Sequence, residues 1–376
     1  MITGAIFALF LLCITIQLVY VLQFFSAIFR VNAATQTIAD TNQPVSVIIC
    51  AKNEADNLQR NLPVILAQRY SNASGINNYE VVVVSDASTD HTAQVLAGFA
   101  ARYPHLKVIH ISPDASRTLP GKKFALSKAV AQAQHDILLM TDADCVPASD
   151  TWLQQMVVPL QDGKVLAGGY GKYTEANGLL NAFIRWETMH TFVQYAGYAL
   201  SGMPYMAVGR NLACTKTALL AAQQTDVWGK LPSGDDDLLV KSAGQGHNMG
   251  IVASATAATI SAPSQSWKEW LSRKQRHIST GKYYRTGTKL ALGGYALSHA
   301  LVWLLFIVAL FTTEWQAALG VMSVRCAVYW SLWQYVCNKT GEKGLVKWFP
   351  LMDIGWMLYN FVLSPYIFWK NKQQWI

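Results

Sequence analysis

The N-terminal run ITGAIFALFLLCITIQLVYVLQFFSAIF most constrains how this chain can fold, because no charged side chain appears in it before Arg30. At about 1.5 Å per residue, such a run exceeds the roughly 20 residues that an apolar helix needs to cross a bilayer. The run has no basic start and is too long for the apolar core of a signal peptide. We therefore predict a transmembrane anchor over residues 1–30.

Three further apolar runs lie towards the other end of the chain: LALGGYALSHALVWLLFIVALFTT, WQAALGVMSVRCAVYWSLWQYVC and WFPLMDIGWMLYNFVLSPYIFW. Each is long enough to cross a membrane and is bordered by Trp or Tyr, as at a membrane interface. With 52% hydrophobic and 14% charged residues, the chain is too apolar for an ordinary soluble enzyme. About three transmembrane helices are therefore predicted over residues 289–371. The last run is also compatible with a hairpin or an interfacial segment.

The flanking cations predict the orientation of these helices. Arg30 follows the first run, and Lys339, Lys343 and Lys347 lie between the last two runs, whereas the turn at Glu314 has no cation. Because cytoplasmic loops are enriched in Lys and Arg, the polar domain is expected in the cytosol, on an integral inner or plasma membrane protein. The lysines of the tail WKNKQQWI would then lie outside, against the rule.

The net charge and the cysteines narrow the class of partner. A formal charge of +8 suits a domain that rests on anionic lipid and handles an anionic substrate. Nucleic acid would suit the charge but not four hydrophobic spans, so no nucleic acid partner is expected. The six cysteines are scattered without a CxxC pair, which fits a reducing cytosol and predicts no structural zinc.

The polar segment over residues 44–262 is long enough for one α/β domain. Four short apolar or β-branched runs, VSVIICAKNE, YEVVVVSDAS, LKVIHIS and HDILLMTDAD, are separated mostly by helical stretches. Alternating strands and helices predict a mostly parallel sheet with right-handed crossovers.

Polar residues follow three of these predicted strands, at the edge where ligands bind in open α/β sheets. Asn53 and Glu54 follow the first strand, Asp86 the second, and Asp142 and Asp144 the fourth. The first strand is not followed by GxGxxG, so a nicotinamide cofactor is not expected. A carboxylate pair near the basic segment LPGKKF instead favours a divalent metal, Mg or Mn, bridged to a substrate diphosphate.

These motifs resemble, over Val45 to Gly281, the membrane-bound members of glycosyltransferase family 2, which have a nucleotide-sugar-binding fold called GT-A. SVIICAKNEADNL is similar to the opening strand of that family, VVVVSDASTDHT to its second-strand signature, GKKFALSKA to its Gly-Lys-x-x-Ala-Leu-Asn segment, and DAD to its metal motif. The resemblance implies that Asn53 and Glu54 lie on the donor side, that Asp86 contacts a uracil and that Lys122 binds the donor. Asp144, with Asp142 close by, would hold the metal.

Two more motifs carry the acceptor side of the resemblance. VGRNLACTK resembles the Gly-x-Asn acceptor loop, which implies acceptor-side roles for Gly209 and Asn211. SGDDDLL resembles the Glu-Asp motif of the catalytic base. Because three aspartates run consecutively, Asp235 and Asp236 both remain candidates, and the alignment with Gly-Glu-Asp favours Asp236. A charged turn that starts a helix is the structural alternative.

The chain departs from the family pattern in the segment over residues 263–288, predicted to be interfacial. Its WLSRKQRHISTG aligns with Gln-x-x-Arg-Trp as Arg273-x-x-Arg276-His277. Arg in the first position also occurs in ceramide glucosyltransferase-like members. The resemblance implies that Arg273 and Arg276 bind the donor phosphates, whereas His277 in place of Trp puts the acceptor-side wall in doubt.

The resulting hypothesis is inverting transfer of a sugar from a nucleotide sugar, expected to be a UDP sugar, to a lipid or lipid-linked acceptor. Processive polysaccharide synthesis, an inactive glycosyltransferase-like scaffold and a transporter are the alternatives. Two structural features stay open. The aromatic stretch over residues 173–209, with His190 as a polar face residue, fits either core or a layer on the bilayer. Arg325 and Asp353 fit either a pair between helices or an acceptor groove.

Overall fold

The computed structural model of the protein describes residues 2–31, 43–72 and 75–363, without the side chains of residues 2, 276–279, 362 and 363. The helices are α1 Ile2–Gln23, α2 Ala55–Leu66, α3 Thr92–Ala100, α4 Lys122–Gln132, α5 Trp152–Gln161, α6 Leu179–Leu200, α7 Lys216–Gln223, α8 Asp235–Ala243, α9 Trp267–His277, α10 Thr286–Ala309, α11 Trp315–Thr340 and α12 Phe349–Leu358. The strands are β1 Val45–Ala51, β2 Tyr79–Asp86, β3 Leu106–Ile111, β4 Ile137–Asp142, β5 Val146–Pro147, β6 Leu166–Gly169, β7 Gly171–Tyr173, β8 Leu212–Thr215, β9 Met249–Val252 and β10 Thr259–Ser261.

The main sheet has the strand order β3-β2-β1-β4-β8-β6-β9 and is mostly parallel, as predicted. Only β8 runs antiparallel to its neighbours β4 and β6. A small second sheet of order β5-β10-β7 lies beside it. The parallel strands β1, β2 and β4 therefore end at one edge, with Cys50 in register with Asp142 and Ala51 in register with Ser85.

The main sheet is buried on both faces, which explains its unbroken apolar strands. Val45, Val47 and Ile49 of β1 point into a core formed with α2, α3 and α5. Ile48 of the same strand points to the opposite core, which includes α4 and α6. Two helical layers therefore fix the sheet and hold the strand ends in place.

Helix α6 contains most of the aromatic stretch and is a core helix. Helix α6 packs against the 3₁₀ turn Phe25–Arg30 that follows α1. The ring of Phe24, directly before this turn, stacks on the ring of Tyr198 at 4.3 Å. Gly197 allows this approach, because a Cβ there would collide with the carbonyl oxygen of Phe24. The interpretation of His190 as a polar face residue is wrong, since it is fully buried and lies 2.8 Å from the hydroxyl of Tyr295.

Among the described residues, two helical segments are long and apolar enough to cross a membrane, Thr3–Arg30 and Thr286–Ala309. Helix α11 is long but does not reach the same hydropathy, and α12 continues in a π turn over Tyr359–Leu363. Residues 364–371 of the last predicted span lie outside the described residues. The prediction of three C-terminal spans therefore stays a prediction.

The polar side chains of these helices pair with one another. Asp353 of α12 accepts hydrogen bonds from Arg325 of α11, with one N···O distance of 3.0 Å, and it lies 2.8 Å from His299 of α10. All three side chains are buried. Of the two roles left open for Arg325 and Asp353, the structure has the pair between helices, with His299 as an additional partner.

Candidate active site

The turn after β1 is fixed by backbone and side-chain contacts to the turn after β2. Asn53 has a left-handed backbone, with φ of 56°, and its amide oxygen accepts a hydrogen bond from the backbone N–H of Thr89 at 2.8 Å. Glu54 accepts a hydrogen bond from Asn57 at 2.6 Å. Burial and the nearby carboxylates of Asp144 and Asp142 raise the pKa of Glu54, against the effect of Asn57. Asn53 therefore shapes this edge, and Glu54 faces the carboxylate pair.

Asp86 is fully buried at the end of β2 and is paired with an arginine that the sequence analysis missed. Arg117 donates to both carboxylate oxygens of Asp86, at 2.6 and 3.1 Å, and its guanidinium lies over the ring of Phe124. Arg117 lies in the loop between β3 and α4, which contains none of the family motifs. The sequence therefore gave no indication that this arginine belongs to the site. Asp86, which the family resemblance places against the uracil, thus has the positively charged Arg117 beside it.

Asp142 is the last residue of β4, and Asp144 lies close to it in the turn that follows, with Cys145 beside them. One potential ligand atom from each of these three residues lies within 4.8 Å of the others. Burial, Asp144 and Asp142 all raise the pKa of the Cys145 thiol well above its ordinary value, so it stays protonated. Two half-buried carboxylates are hard oxygen ligands, and this donor set fits a Mg²⁺ or Mn²⁺ ion better than a soft metal.

Lys122, the first residue of α4, forms an ion pair with Asp142. Burial opposes its charge, but Asp142 and Asp235 raise the pKa of Lys122 well above its ordinary value. Gly121 makes the preceding turn possible, because it has a φ of 59° and a Cβ there would collide with the carbonyl oxygen of Pro232. The predicted donor-binding lysine is therefore a fixed cation beside the carboxylate pair.

The three consecutive aspartates at the start of α8 have different surroundings. Asp236 accepts hydrogen bonds from the backbone N–H of Gly209 at 2.8 Å and from that of Asp237 at 2.9 Å. Burial and the neighbouring Asp235 raise the pKa of Asp236 to about 6, against these hydrogen bonds. Asp237 is buried and accepts hydrogen bonds from Thr280 and Tyr284. Asp237 thus anchors the segment after α9, and Asp236 and Asp235 stay the predicted candidates for the catalytic base.

The acceptor-loop residues Gly209 and Asn211 form a 3₁₀ turn with Arg210 between them. Gly209 contributes the N–H that holds Asp236. Asn211 is fully buried. Its side-chain oxygen accepts a hydrogen bond from the indole N–H of Trp152 at 2.9 Å, and its side-chain NH₂ donates to the carbonyls of Tyr170 at 3.0 Å and Ala257 at 2.9 Å. In this arrangement the amide of Asn211 is bonded to protein groups and stabilises the turn, so it does not point towards an acceptor.

Helix α9 follows β10 and packs on α6 through an ion pair between Lys274 and Glu187 at 2.5 Å. Arg273 donates a hydrogen bond to the hydroxyl of Tyr173 at 3.1 Å and lies 3.5 Å from Glu269. It therefore lies on the side of the small sheet that carries β7. The side chains of Arg276 and His277 lie outside the described residues, so their predicted donor-side and acceptor-side roles stay predictions.

The α/β fold with carboxylates at the ends of its parallel strands has a counterpart among known protein families. Residues 46–204 match the model of the family described as glycosyl transferase family 2. Over these residues the resemblance noted from the sequence is confirmed.

Two relatives illustrate the match. Over 135 residues the chain is 33% identical to glycosyltransferase AglE of Haloferax volcanii, covering 36% of this chain and 41% of the relative. Over 116 residues it is 36% identical to β-monoglucosyldiacylglycerol synthase of Nostoc sp., covering 31% of this chain and 23% of the relative. The chain thus spans less than half the length of these relatives.

A solved structure shows the fold over nearly the whole chain. It is that of the mannosyltransferase PcManGT from Pyrobaculum calidifontis, in complex with GDP-Man and Mn²⁺. The TM-score is 0.55 at 18% identity, and the match covers 96% of this chain and 100% of the other. This likeness confirms the predicted α/β architecture as GT-A-like.

Proposed function

We propose that the protein transfers a sugar, with inversion, from a nucleotide sugar to a hydroxyl of a membrane lipid. The observation that carries this proposal is the Asp236 carboxylate, whose pKa of about 6 suits a general base near neutral pH. It is held by Gly209 of the predicted acceptor loop at 2.8 Å. The match of residues 46–204 to the glycosyl transferase family 2 model supports the reaction class.

The donor side is assigned to the carboxyl ends of β1, β2 and β4. A divalent ion held by Asp144 and Asp142 would neutralise the departing diphosphate when it is bound. Lys122 supplies a fixed positive charge at the same edge, since it already forms an ion pair with Asp142. Asp86 and Arg117 would face the base, which the family resemblance suggests is uracil. The Mn²⁺ and GDP-Man of PcManGT support a metal and a nucleotide sugar as the bound species.

In the proposed mechanism, the catalytic base lies on the side of the sugar opposite the leaving diphosphate. Asp236 accepts the proton of the acceptor hydroxyl, whose oxygen then attacks the anomeric carbon from the side opposite the diphosphate. A single in-line displacement of this kind inverts the anomeric configuration. Lys122, together with Arg273 and Arg276, which the family resemblance places at the donor phosphates, stabilises the negative charge that develops on the diphosphate.

A lipid acceptor is supported by the apolar helices beside the domain and by one relative. In the described part of the chain, two helical segments are long and apolar enough to cross a membrane, and the Nostoc relative is named as a synthase of a glucosyl diacylglycerol. We therefore propose an integral membrane enzyme with its catalytic domain on the cytoplasmic side.

The test incubates membranes that contain the full chain with a panel of labelled UDP and GDP sugars and Mn²⁺ or Mg²⁺. One donor should label an acceptor, and NMR of the product should show inversion.

Asp236→Asn keeps the shape of the side chain but removes its basicity. It should leave nucleotide binding near normal while transfer falls by about 10²- to 10⁴-fold. A fully active Asp236→Asn variant would remove this residue from the mechanism.

A further inference from the structure

Among the side chains that the structure describes, Lys122 and Arg210 are cations that interact with the carboxylates of Asp142 and Asp144, and they are bound differently. Lys122 forms a direct ion pair with Asp142. Arg210 has no carboxylate within ion-pair distance among the residues that the structure describes. Burial opposes its charge, but Tyr173, Cys145, Asp144 and Asp142 together raise the pKa of Arg210 above its ordinary value. Arg210 is thus a cation close to the metal site without a direct partner carboxylate.

The guanidinium of Arg210 is held in a fixed position by neutral groups. It donates to the carbonyl of Gly171 at 2.5 Å and to the hydroxyl of Ser261 at 2.8 Å, and it stacks on the ring of Tyr173 at 4.3 Å. Gly171 is needed for this approach, because a Cβ there would collide with the Arg210 side chain. Since neutral partners do not cancel the charge, its field still reaches the carboxylate pair.

The backbone of Arg210 connects the same residue to the catalytic turn. Its carbonyl accepts a hydrogen bond from Thr141 at 3.0 Å, directly before Asp142, and another from Thr259 at 3.1 Å. The preceding residue, Gly209, holds Asp236. The position of Arg210 is therefore set by the strand of the metal motif and by the turn of the proposed base.

A fixed positive charge has opposite effects on the two species expected at this site. It repels a bare divalent cation, whereas it attracts the diphosphate of a donor, which has more negative charge than the metal ion can cancel. We propose that Arg210 makes the metal ion and the donor diphosphate bind as a unit, by weakening the site for the ion alone and strengthening it for the ion with the diphosphate. This inference rests on the proposed function, since it takes Asp142 and Asp144 as the metal site of the donor.

The experiment measures binding on the full chain in detergent. EPR titration gives the affinity for Mn²⁺ alone, and calorimetry gives the affinity for UDP in saturating Mn²⁺. Arg210→Gln should tighten Mn²⁺ binding and weaken UDP binding, each by at least about tenfold, since even two unit charges about 12 Å apart at an effective dielectric constant of about 20 interact strongly enough for a tenfold change. Arg210→Lys keeps the charge and should stay within about threefold of the wild type for Mn²⁺ alone.

Opposite shifts distinguish an electrostatic role from a structural one, because a misfolded site would lose both ligands. Ser261→Asp is the second variant, since it would set a carboxylate beside the Arg210 guanidinium and neutralise it in place. It should shift both affinities in the same directions as Arg210→Gln. Arg102→Gln is the matched control: Arg102 is exposed and donates to the carbonyl of Gly98 at 3.1 Å, so neither affinity should change.

The outcomes separate this inference from the proposed function. If the wild type binds neither Mn²⁺ nor UDP with Mn²⁺, the proposed function fails. If the wild type binds UDP with Mn²⁺ but Ser261→Asp and Arg210→Gln leave the affinity for Mn²⁺ alone unchanged or weaker, the inference about Arg210 is overturned and the proposed function stands.

Discussion

Asp236 is surrounded so that it changes protonation state close to physiological pH, which gives a pH dependence. Burial and Asp235 raise its pKa to about 6, and a base acts only in its deprotonated form. We expect kcat/KM to fall by about tenfold per pH unit below that pKa and to level off above it. Asp235→Asn removes one of the charges that raise the pKa, so the acidic limb should move to lower pH. A pH–rate profile of both proteins measures this shift.

Two results would contradict this prediction. The acidic limb could stay in place in Asp235→Asn, which would show that another group titrates there. Alternatively, Asp235→Asn could abolish transfer at every pH, in which case the base is Asp235 and the alignment of the motif is shifted by one residue. Transfer must be measured with saturating metal, so that weaker metal binding at low pH does not produce the same limb.

Asp144 gives a second prediction at this scale. Asp144→Asn removes a negative ligand from a loop at the end of β4, so Mn²⁺ binding should weaken and turnover should fall by about two orders of magnitude or more. The half-buried side chain leaves the fold little affected, and circular dichroism should match that of the wild type. Full turnover of the wild type in excess EDTA would contradict metal dependence.

The sequence predicted the carboxylates of this site better than their partners. Asp142, Asp144 and Asp86 follow apolar strands, and strand ends meet at one edge of a parallel sheet, so their proximity follows from the pattern. Arg117 and Arg210 could not be assigned in the same way, because their positions depend on tertiary contacts to Asp86 and Gly171. A hydrophobic pattern does not encode such contacts.

At the scale of elements, the loop after α11 docks on the sheet through a buried ion pair. Glu342 accepts from Arg185 of α6 at 2.5 Å and from the hydroxyl of Tyr170 at 3.0 Å. Breaking a buried pair by removing one charge costs about 3–5 kcal/mol. Glu342→Gln should therefore lower the apparent unfolding temperature in detergent by several degrees.

Glu175→Gln is the matched control for this pair. Glu175 lies 3.1 Å from the same Arg185, but its side chain is 64% exposed. Exposed pairs contribute about 0–1 kcal/mol, so its unfolding temperature should stay close to that of the wild type. Equal effects of the two variants would show that the burial of Glu342 does not determine the stability of this junction.

Helix α6 shows why periodicity alone left an element open. An apolar, aromatic helix has the same composition whether it lies on a bilayer or between a sheet and other helices. The deciding contacts are long-range: Phe24 stacks on Tyr198 from the N-terminal segment, and His190 meets Tyr295 of α10. These contacts join residues far apart in the chain, which a local pattern cannot predict.

At the scale of the whole molecule, the helices beside the GT-A-like domain are joined by polar contacts. Gln17 of α1 donates to Ser298 of α10 at 2.7 Å, and Asp353 joins α10, α11 and α12 through His299 and Arg325. Polar side chains thus connect all four of these described helices. On this basis we propose an anchor that presents a lipid rather than a passage for a growing polysaccharide.

This packing leads to a prediction about the product. Membranes that contain the full chain are incubated with the labelled donor that proves active in the panel of UDP and GDP sugars. They should yield label in the organic phase after solvent extraction, as a lipid with a single added sugar. The physical reason is that a lipid acceptor would need to reach Asp236 only from the bilayer, whereas a polymer would need a continuous path through the helices. Mass spectrometry of the extracted lipid gives the number of sugars, and Asp236→Asn membranes give the background. Recovery of the label in high-mass, lipid-free polysaccharide would instead favour processive synthesis.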